Sequence, residues 1–418
     1  MESIERSNPQ KCPHLEGFDP LEKEQIGEPY PWLARARRET PVFYMPKYDL
    51  WCITRHADVM SVYKSTGVYS NKGAHAPQIP MPDSIRAKVG PDWEYPLPGN
   101  LNVEDPPDHM RMKRIFLQAF TASIAGMEPW IIATVDQLID KFIDSREVDL
   151  VQALSWPMTV ASIAHVMGVA DEDTVRFREW AEAFFELSGS SQLPPARTEQ
   201  CWKSLTDMDR FIQDMIAARR ANPREDMISR VVELQRGGAP IKDREIVVNF
   251  FGLVAAGSDT TAQLLGQLIY QLLTNPEQFA LLKADPSRID NAIEEALRLR
   301  GPVRGLIRTT TRETKVGDVT IPAGSKVYLH VGSASRDEAL FDEPDRFDIT
   351  RENAKKHAAF GAFTRLCLGA PLARMEVKTA IFAILKRLPG IKLSPRQGAL
   401  EYSNSIVVPS IKRLIVTW

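Results

Sequence analysis

The 418-residue sequence predicts a mainly α-helical protein with a small amount of β-sheet. Apolar residues recur at helical spacing over 128–144, 150–167, 171–187 and 199–221, and each stretch is bounded by Gly, Pro or Ser. From Asp243 to Thr274 the pattern is apolar on almost every face, which predicts a buried central helix of roughly 48 Å at about 1.5 Å per residue. This helix and its amphipathic neighbours indicate the fold class.

The remaining predicted elements are shorter. Clusters of aromatic and β-branched residues at 41–44 and 50–54 predict a small sheet near the N-terminus. Six prolines between positions 71 and 100 exclude a long helix there and predict a loop. The later predicted elements are a helix over 288–300, strands over 309–316, 319–321 and 326–330, and a helix over 370–388. No repeat or linker divides the sequence, so residues 1–418 are predicted to form one domain.

Charge and composition exclude several classes of protein. Lys and Arg total 52 against 54 Asp and Glu, a formal net charge of -2, so no positive field would attract nucleic acid or anionic lipid. With 44% hydrophobic and 25% charged residues, the chain is not a disordered one. The four cysteines form no CxxC pair, which indicates a reducing compartment. Residues 1–30 lack an apolar segment, so we expect a soluble, cytoplasmic protein without a membrane anchor.

Three groups of residues could carry chemistry, and the first is Cys367, just before the predicted start of the last helix. Unpaired N–H groups of the first helical turn would point at its sulfur, favour the thiolate and prepare it to bind a metal. Gly369 would let the backbone pass close to a bulky planar group. The alternative is that a lone cysteine is a small, buried apolar residue.

The second group is the pair Asp259 and Thr260 in the middle of the central helix. Burying a carboxylate and a hydroxyl there lowers stability unless the two groups have hydrogen-bond partners or serve a function. The small residues at 255–257 leave room for a ligand or a water and would allow a local distortion of the helix. The alternative is that Thr260 bonds back to a carbonyl four residues earlier and that Asp259 pairs with a nearby base.

The third group begins with Glu295 and Arg298, an acid and a base at i and i+3 on one helix face. Arg346 supplies a second arginine downstream. Two arginines on one carboxylate would form a buried network, whereas most such pairs are solvated surface ion pairs.

In their order and spacing, these features resemble the cytochrome P450 monooxygenases of the soluble bacterial type. The matching segments are the loop around Cys367, Ala-Gly-x-Asp-Thr at 256–260, Glu-x-x-Arg at 295–298 and Pro-Asp-Arg-Phe at 344–347. The resemblance spans the chain from Asp105 to the C-terminus. It implies the cytochrome P450 fold, with the long central helix over a haem b cofactor and small β-sheet regions.

The resemblance also implies roles for single residues. Cys367 would be the axial thiolate ligand of the haem iron. Thr260 would donate a hydrogen bond to dioxygen, and Asp259 would help to bring protons in from solvent. The glutamate and the two arginines of the third group would form a structural network without direct chemistry. Further haem contacts are implied for His109, Lys113, Arg308 and Arg365, as cations for the propionates, and for Ala256, Phe360 and Gly369.

Two positions depart from the family pattern. Phe363 stands in the cysteine loop where the family usually has glycine. If that turn needs a positive φ, the phenylalanine costs on the order of 1–2 kcal/mol. Lys113 stands where arginine is commoner, and it keeps the charge but loses the forked geometry for a propionate.

The resemblance places a substrate pocket beside the Pro-rich loop and the segment near 403–408. Its predicted lining residues are Phe184, Phe185, Phe251, Val254, Ala255, Val303, Arg304 and Ile307. Most of these are apolar or aromatic, which predicts a small hydrophobic substrate, aromatic or terpenoid. The resemblance implies that this substrate is hydroxylated or O-dealkylated with O2. Arg304 would either bind a carboxylate or phenolate of the substrate or turn to solvent or to a propionate.

Electrons must reach the haem from another protein, because the sequence carries no flavin or iron-sulfur module. The expected donors are a separate ferredoxin and ferredoxin reductase, with the enzyme a monomer. The ferredoxin would dock on a positive patch at Arg111, Lys113, Arg114 and Arg374, unless these are simply solvated charges. Two other functions stay open: a peroxide-driven peroxygenase on the same scaffold, and a non-catalytic haem protein that binds or senses ligands.

Overall fold

The structure is a computed structural model, and it describes residues 12–72, 74, 79–89, 93, 98–189 and 193–418. Most of the described chain is helical. The helices are α1 (Tyr30–Glu39), α2 (His56–Lys64), α3 (Asp83–Val89), α4 (Asp108–Ile124), α5 (Glu128–Asp140), α6 (Trp156–Met167), α7 (Thr174–Gly189), α8 (Pro195–Ala221), α9 (Met227–Arg236), α10 (Asp243–Thr274), α11 (Pro276–Ala284), α12 (Ile289–Arg300), α13 (Val331–Ala334) and α14 (Ala370–Arg387). The strands are β1 (Val42–Met45), β2 (Leu50–Ile53), β3 (Tyr69–Ser70), β4 (Glu147–Asp149), β5 (Leu306–Thr310), β6 (Thr314–Val316), β7 (Val319–Ile321), β8 (Lys326–Leu329), β9 (Lys392–Leu393) and β10 (Ile415–Thr417).

The central helix α10 has the bounds that its apolar pattern predicts. At its start the Glu245 carboxylate accepts a hydrogen bond from the backbone N–H of Lys242 at 2.8 Å, which satisfies a donor outside the helix. The helix runs without a break through 255–257, so the distortion that these small residues would allow is not present. It packs against α6, α7, α8, α12 and α14, which explains why it is apolar on almost every face.

A row of small residues lets α6 approach α10 closely. Ser258, Ala262 and Gly266 are four residues apart and therefore lie on one face of α10. The Thr159 hydroxyl of α6 donates to the Ser258 carbonyl at 2.7 Å, and a Cβ added to Gly266 would lie 3.8 Å from a methyl of Val151. α6 and the turn before it, which contains Val151, are therefore in direct contact with α10 along this face.

The largest sheet has the strand order β1-β2-β8-β5-β3, in which β2 and β8 are parallel and the other pairs antiparallel. Leu306 of β5 lies opposite Leu329, and Arg308 lies opposite Val327. Because side chains alternate along a strand, Leu306 and Arg308 share one face of the sheet and Ile307 lies on the other. Two smaller sheets have the orders β4-β10-β9 and β6-β7.

The predicted mainly helical class with minor β-sheet is confirmed, but several element bounds differ. The strand predicted over 309–316 is two strands, because the chain bends at 311–312 between β5 and β6. A five-residue π-helical turn at Val151–Ser155 precedes α6, where one continuous helix was predicted. Of the Pro-rich segment, residues 73, 75–78, 90–92 and 94–97 lie outside the described residues, and the described part contains the short helix α3.

No single helix in the described ranges is both long enough and apolar enough to cross a membrane. The segments Asp108–Ile124 and Glu128–Ser145, which meet at a bend of 65°, pass that test only as a pair, by length and composition.

The network around Glu295 corrects one prediction. Arg298 donates to both carboxylate oxygens of buried Glu295, at 2.7 and 2.8 Å. The second arginine is Arg351, whose Nε lies 3.2 Å from Oε1. Arg346 was the wrong choice, because its exposed guanidinium pairs with Glu343 at 2.8 Å. Arg346 contributes only its backbone carbonyl, which accepts from Arg298 at 3.0 Å.

Candidate active site

A cavity of about 320 Å³ lies among α4, α6, α7, α10, α12, β5 and the loop before α14. Most of its wall is apolar. The middle of α10 contributes Ala255, Ala256, Gly257 and Thr260, and the loop contributes Cys367. The cavity therefore brings together the two segments that carry the strongest sequence signals, although they are far apart along the chain.

The loop before α14 presents the sulfur of Cys367 to this cavity. The Cys367 N–H donates to the Phe360 carbonyl at 2.8 Å, which closes the loop, and the N–H groups of Gly369 and Ala370 point at the sulfur. Burial raises the pKa of the Cys367 thiol above its ordinary value, while these N–H groups and the charge of Lys113 lower it. Cys367 is itself exposed to the cavity, and the N–H groups at the start of α14 favour a sulfur anion there, which a bound metal ion would stabilise.

Phe363 adopts the positive φ, 53°, that the usual family glycine would accept without strain. Its ring is 52% exposed, and the Lys64 Nζ lies 5.1 Å from the ring centroid. The ring therefore lies on the outer surface of the loop and not in the cavity lining. Behind it, the Lys113 Nζ donates to the carbonyls of Thr364 and Leu366 at 2.6 and 2.7 Å, which ties the loop to α4.

Four cationic or basic side chains line one part of the cavity, namely His109, Lys113, Arg308 and Arg365. Burial and the positive charges nearby lower the pKa of His109 to about 4 and that of Arg365 to about 10. The buried Nδ1 of His109 has no hydrogen-bond partner among the described residues. The adjacent carboxylate of Asp105 lies 3.4 Å from Arg365.

This cluster fits the haem that the sequence implies. Several positive groups face one carboxylate, and one buried nitrogen lacks a partner, so the site is short of negative charge. The two propionates of a haem would supply that charge, while the cavity wall would receive its apolar ring and Cys367 its metal. Ala256, Phe360 and Gly369, the other predicted haem contacts, also line the cavity.

Thr260 and Asp259 of α10 differ in their position relative to the cavity. Thr260 lines the cavity, and its hydroxyl donates to the Ala256 carbonyl at 2.8 Å, as the alternative interpretation expected. Asp259 lies outside the lining, where it accepts from Gln263 at 3.0 Å and from the Ser410 hydroxyl at 2.5 Å. Its partners are therefore neutral and not a base. Burial raises the pKa of Asp259 to about 6, even though both hydrogen bonds lower it.

Half of the predicted substrate contacts face the cavity. Phe184, Phe185, Ala255 and Val303 line it. Phe251 does not, since its ring packs against Phe184 with centroids 6.1 Å apart.

The other three predicted substrate contacts are also wrong in position. Val254 is buried outside the lining, and its carbonyl accepts from Ser258. Ile307 points to the opposite face of β5, where it packs on the small core around Tyr328. Arg304 is buried and donates to the Tyr30 hydroxyl, so it faces neither substrate nor solvent nor the propionate cluster.

Sequence reasoning missed several lining residues. Leu306 lines the cavity in place of Ile307, and the alternation of β5 gives the reason. Glu376 of α14 also lines it, as an acid 2% exposed on an otherwise apolar helix face. An acid among the apolar positions of an amphipathic helix was the available signal.

The predicted docking patch for ferredoxin has fewer available positive charges than expected, because most of its residues are bound within the protein. Arg111 is bound to Glu245 at 2.7 Å, and Arg374 is bound to Glu294 at 2.6 Å. Lys113 is bound to the cysteine loop. Arg114 is exposed and makes no ion pair within the described ranges.

Comparison with known proteins agrees with this geometry. A family model described as Cytochrome P450 matches residues 43–286 and 287–412. The chain belongs to the cytochrome P450 family. This P450 is 34% identical over 370 residues to Cytochrome P450 107B1 of Saccharopolyspora erythraea, covering 88% of this chain and 89% of that protein. It is 32% identical over 379 residues to Erythromycin C-12 hydroxylase of the same organism, covering 90% and 91%.

A solved structure agrees as well. Cytochrome P450 CREJ in complex with (4-ethylphenyl) dihydrogen phosphate has a TM-score of 0.89 and 26% identity, covering 96% of this chain and 99% of that one. The predicted family and cytochrome P450 fold are therefore confirmed. The protein is a P450 monooxygenase, an enzyme class that uses haem, O2 and redox partners.

Proposed function

We propose that this P450 hydroxylates or O-dealkylates a small hydrophobic substrate, aromatic or terpenoid, with O2 and with electrons from a separate ferredoxin and its reductase. The observation that carries the proposal is the chemistry of the wall of the cavity that Thr260 lines. Phe184, Phe185, Val303 and Leu306 present aromatic and branched apolar surface there. Such a wall binds a ligand by burial of apolar area and contributes little to the recognition of a charged group.

The haem, which we propose to be haem b, would be held by Cys367 at the iron and by His109, Lys113, Arg308 and Arg365 at the propionates. When bound, it supplies the redox chemistry that activates dioxygen. The N–H groups of Gly369 and Ala370 favour the sulfur anion, and the apolar wall excludes water around the substrate.

Thr260 and Asp259 are proposed to handle protons at the cavity. The Thr260 hydroxyl would have to leave the Ala256 carbonyl, by rotation about one side-chain bond, before it could donate to dioxygen in the cavity. Asp259, with a pKa near 6, can exchange a proton with Ser410 at its Oδ2. A peroxide-driven enzyme would not need this pair, so the pair favours the monooxygenase over the peroxygenase.

The experiment begins with the spectrum of the reduced protein under carbon monoxide. A strongly red-shifted Soret band is expected, and Cys367→Ala is expected to abolish it. Cys52→Ala is a matched control, since Cys52 is buried in another core. A band that survives Cys367→Ala would refute the proposed ligand.

Turnover separates the remaining functions. A screen of small hydrophobic compounds for the low-spin to high-spin shift identifies a substrate. With that compound, Thr260→Ala is expected to keep the carbon monoxide spectrum but to divert electrons from product to peroxide. Unchanged coupling would contradict the role of Thr260. Product formed from peroxide alone but not from O2 and ferredoxin would identify a peroxygenase, and binding without product would identify a ligand-binding protein.

The electron donor is proposed to dock on the cysteine side, where α4 carries the exposed Arg114 one residue after Lys113, which is bound to the Cys367 loop. Arg114→Glu is expected to slow reduction by ferredoxin at low salt and to leave substrate binding unchanged. A monomeric state and a cytoplasmic location stay predictions.

A further inference from the structure

A loop near the C-terminus contributes two apolar side chains to the cavity wall. They are Val407 and Val408, and they lie in the tip of the loop, residues 405–408. The end of the loop is attached to α10, where the backbone N–H of Ile411 donates to the side-chain oxygen of Gln263 at 2.5 Å. The central helix therefore fixes the end of the loop, whereas the tip depends on other partners.

Hydrogen bonds hold the backbone of the tip in one shape. The Ser405 hydroxyl accepts from the N–H groups of Val407 and Val408 at 3.3 and 3.1 Å, which closes a turn. The Val407 carbonyl accepts from the backbone N–H of Arg304 at 2.8 Å. The last of these bonds ties the tip to the segment before β5, which belongs to the same cavity wall.

A tyrosine of the largest sheet completes this set. The Tyr328 hydroxyl donates to the Ile406 carbonyl at 2.5 Å, and Tyr328 is only 1% exposed. Tyr328 lies opposite Ile307 in the β5–β8 pair, so both side chains are on the face of the sheet that is turned away from the cavity. The ring reaches the tip by crossing Gly305, where an added Cβ would lie 2.2 Å from the ring Cζ. A side chain at position 305 would therefore displace the ring.

The bond from Tyr328 cannot be replaced from within the tip. The Ile406 carbonyl accepts no other hydrogen bond in the described part of the chain. Burial raises the pKa of Tyr328 well above its ordinary value, so its hydroxyl stays protonated and can donate. A largely buried carbonyl that loses its donor is unfavourable, and the backbone then moves towards another donor or towards water.

We propose that Tyr328 is a positioning residue for the substrate. Through the Ile406 carbonyl it sets how far Val407 and Val408 project into the cavity, and thereby which carbon of the substrate is presented for oxidation. Tyr328 lies outside the cavity lining, so it acts without touching the substrate. A misplacement of about 1 Å is enough to alter a productive geometry. The inference rests on the proposed function, because it concerns a substrate that packs on the apolar wall.

Ligand binding to the holoenzyme tests this role without turnover. The probes are imidazole and 4-phenylimidazole, which adds an apolar ring, and titration of the Soret band measures their dissociation constants. Tyr328→Phe is expected to raise the value for 4-phenylimidazole about two- to tenfold, as the loss of one hydrogen bond would, and to leave that for imidazole unchanged. Tyr44→Phe is the control, because its hydroxyl donates to Asp49 at the edge of the same sheet, and it should change neither value. No effect of Tyr328→Phe, or an equal effect on both probes, overturns the proposal.

Two further variants test whether Tyr328 acts through the tip. Ser405→Ala removes the acceptor of two N–H groups in the tip, so it should also weaken the binding of 4-phenylimidazole. Val408→Ala removes branched apolar surface from the tip. Because residues that act together give non-additive effects, Tyr328→Phe should change the binding less in the Val408→Ala protein than in the wild type. Additive effects would show that Tyr328 does not act through the tip and would overturn the proposal.

Turnover tests the site of oxidation. With a compound from the spin-state screen, Tyr328→Phe is expected to change the ratio of products oxidised at different carbons and to raise KM, with kcat within about twofold of the wild type and the carbon monoxide spectrum intact. An unchanged product ratio overturns the proposal. A wild-type protein that binds 4-phenylimidazole but forms no product would instead refute the proposed function, so the two failures are distinguishable.

Discussion

Replacement of Phe363 by glycine and, separately, by alanine isolates the strain in the cysteine loop. At φ 53° a residue with a Cβ costs about 1–2 kcal/mol, whereas glycine loses about 0.5–1 kcal/mol through its greater freedom in the unfolded chain. Both variants lose the phenyl ring and its contact with Lys64, so that loss cancels between them. Phe363→Gly is therefore expected to be more stable than Phe363→Ala by about 0.5–1 kcal/mol.

Thermal unfolding of the holoenzyme, followed by circular dichroism and by the Soret band, measures this difference. A gap of about 0.5–1 °C in Tm is expected for a chain of this length. Phe382 is the control position, because it lies in the middle of α14 and its side chain is 37% exposed. At this position the stability difference between the alanine and glycine variants should have the opposite sign. There Phe382→Ala should be more stable than Phe382→Gly by about 1 kcal/mol, because glycine is a poor helix former. Equal or reversed stabilities at position 363 would refute the strain argument.

Three further predictions concern stability. Arg351→Ala is expected to lower the free energy of unfolding in urea by about 2 kcal/mol or more, because it leaves the buried Glu295 carboxylate short of one partner. Arg346→Ala, at an exposed arginine, is expected to lower it by about 0.5 kcal/mol or less. Equal losses in the two variants would contradict the network. Gly257→Ala is expected to lower the free energy of unfolding by about 1–3 kcal/mol, because the added methyl group clashes with Ile163. Adding Ile163→Ala to the same chain should recover part of that stability, and no recovery would contradict the contact. Because the folded-state pKa of Asp259 is raised from 3.8 to about 6, stability should fall as the pH rises across that window. Asp259→Asn should flatten this dependence, and an unchanged slope would show that other groups cause it.

The parts of the fold that depend on local patterns could be predicted. The bounds of α10 follow from a run of apolar residues and from the Asn275-Pro276 pair that ends it, and both are local. The strand predicted over 309–316 failed because the bend between β5 and β6 is set by pairing with other strands. A single β-like run contains no information about which residues pair with which partner.

The site shows the same limit. Its residue types could be named because a cysteine before a helix and an acid–alcohol pair inside one are unusual patterns. The direction in which each side chain points could not be predicted from the sequence. Arg304 binds Tyr30, which is 274 positions away, and Asp259 binds Ser410, which is 151 positions away. No local spacing reports such partners.

The sequence by itself determined the helical class, the central helix, the family and the cysteine that faces the cavity, because periodicity, breakers and motif spacing are properties of contiguous residues. Only the tertiary structure decided that Arg351 rather than Arg346 serves Glu295, and that Glu376 rather than Asp259 lines the cavity. The physical reason is that a buried polar group takes whichever partner the packing of distant segments brings within hydrogen-bond distance.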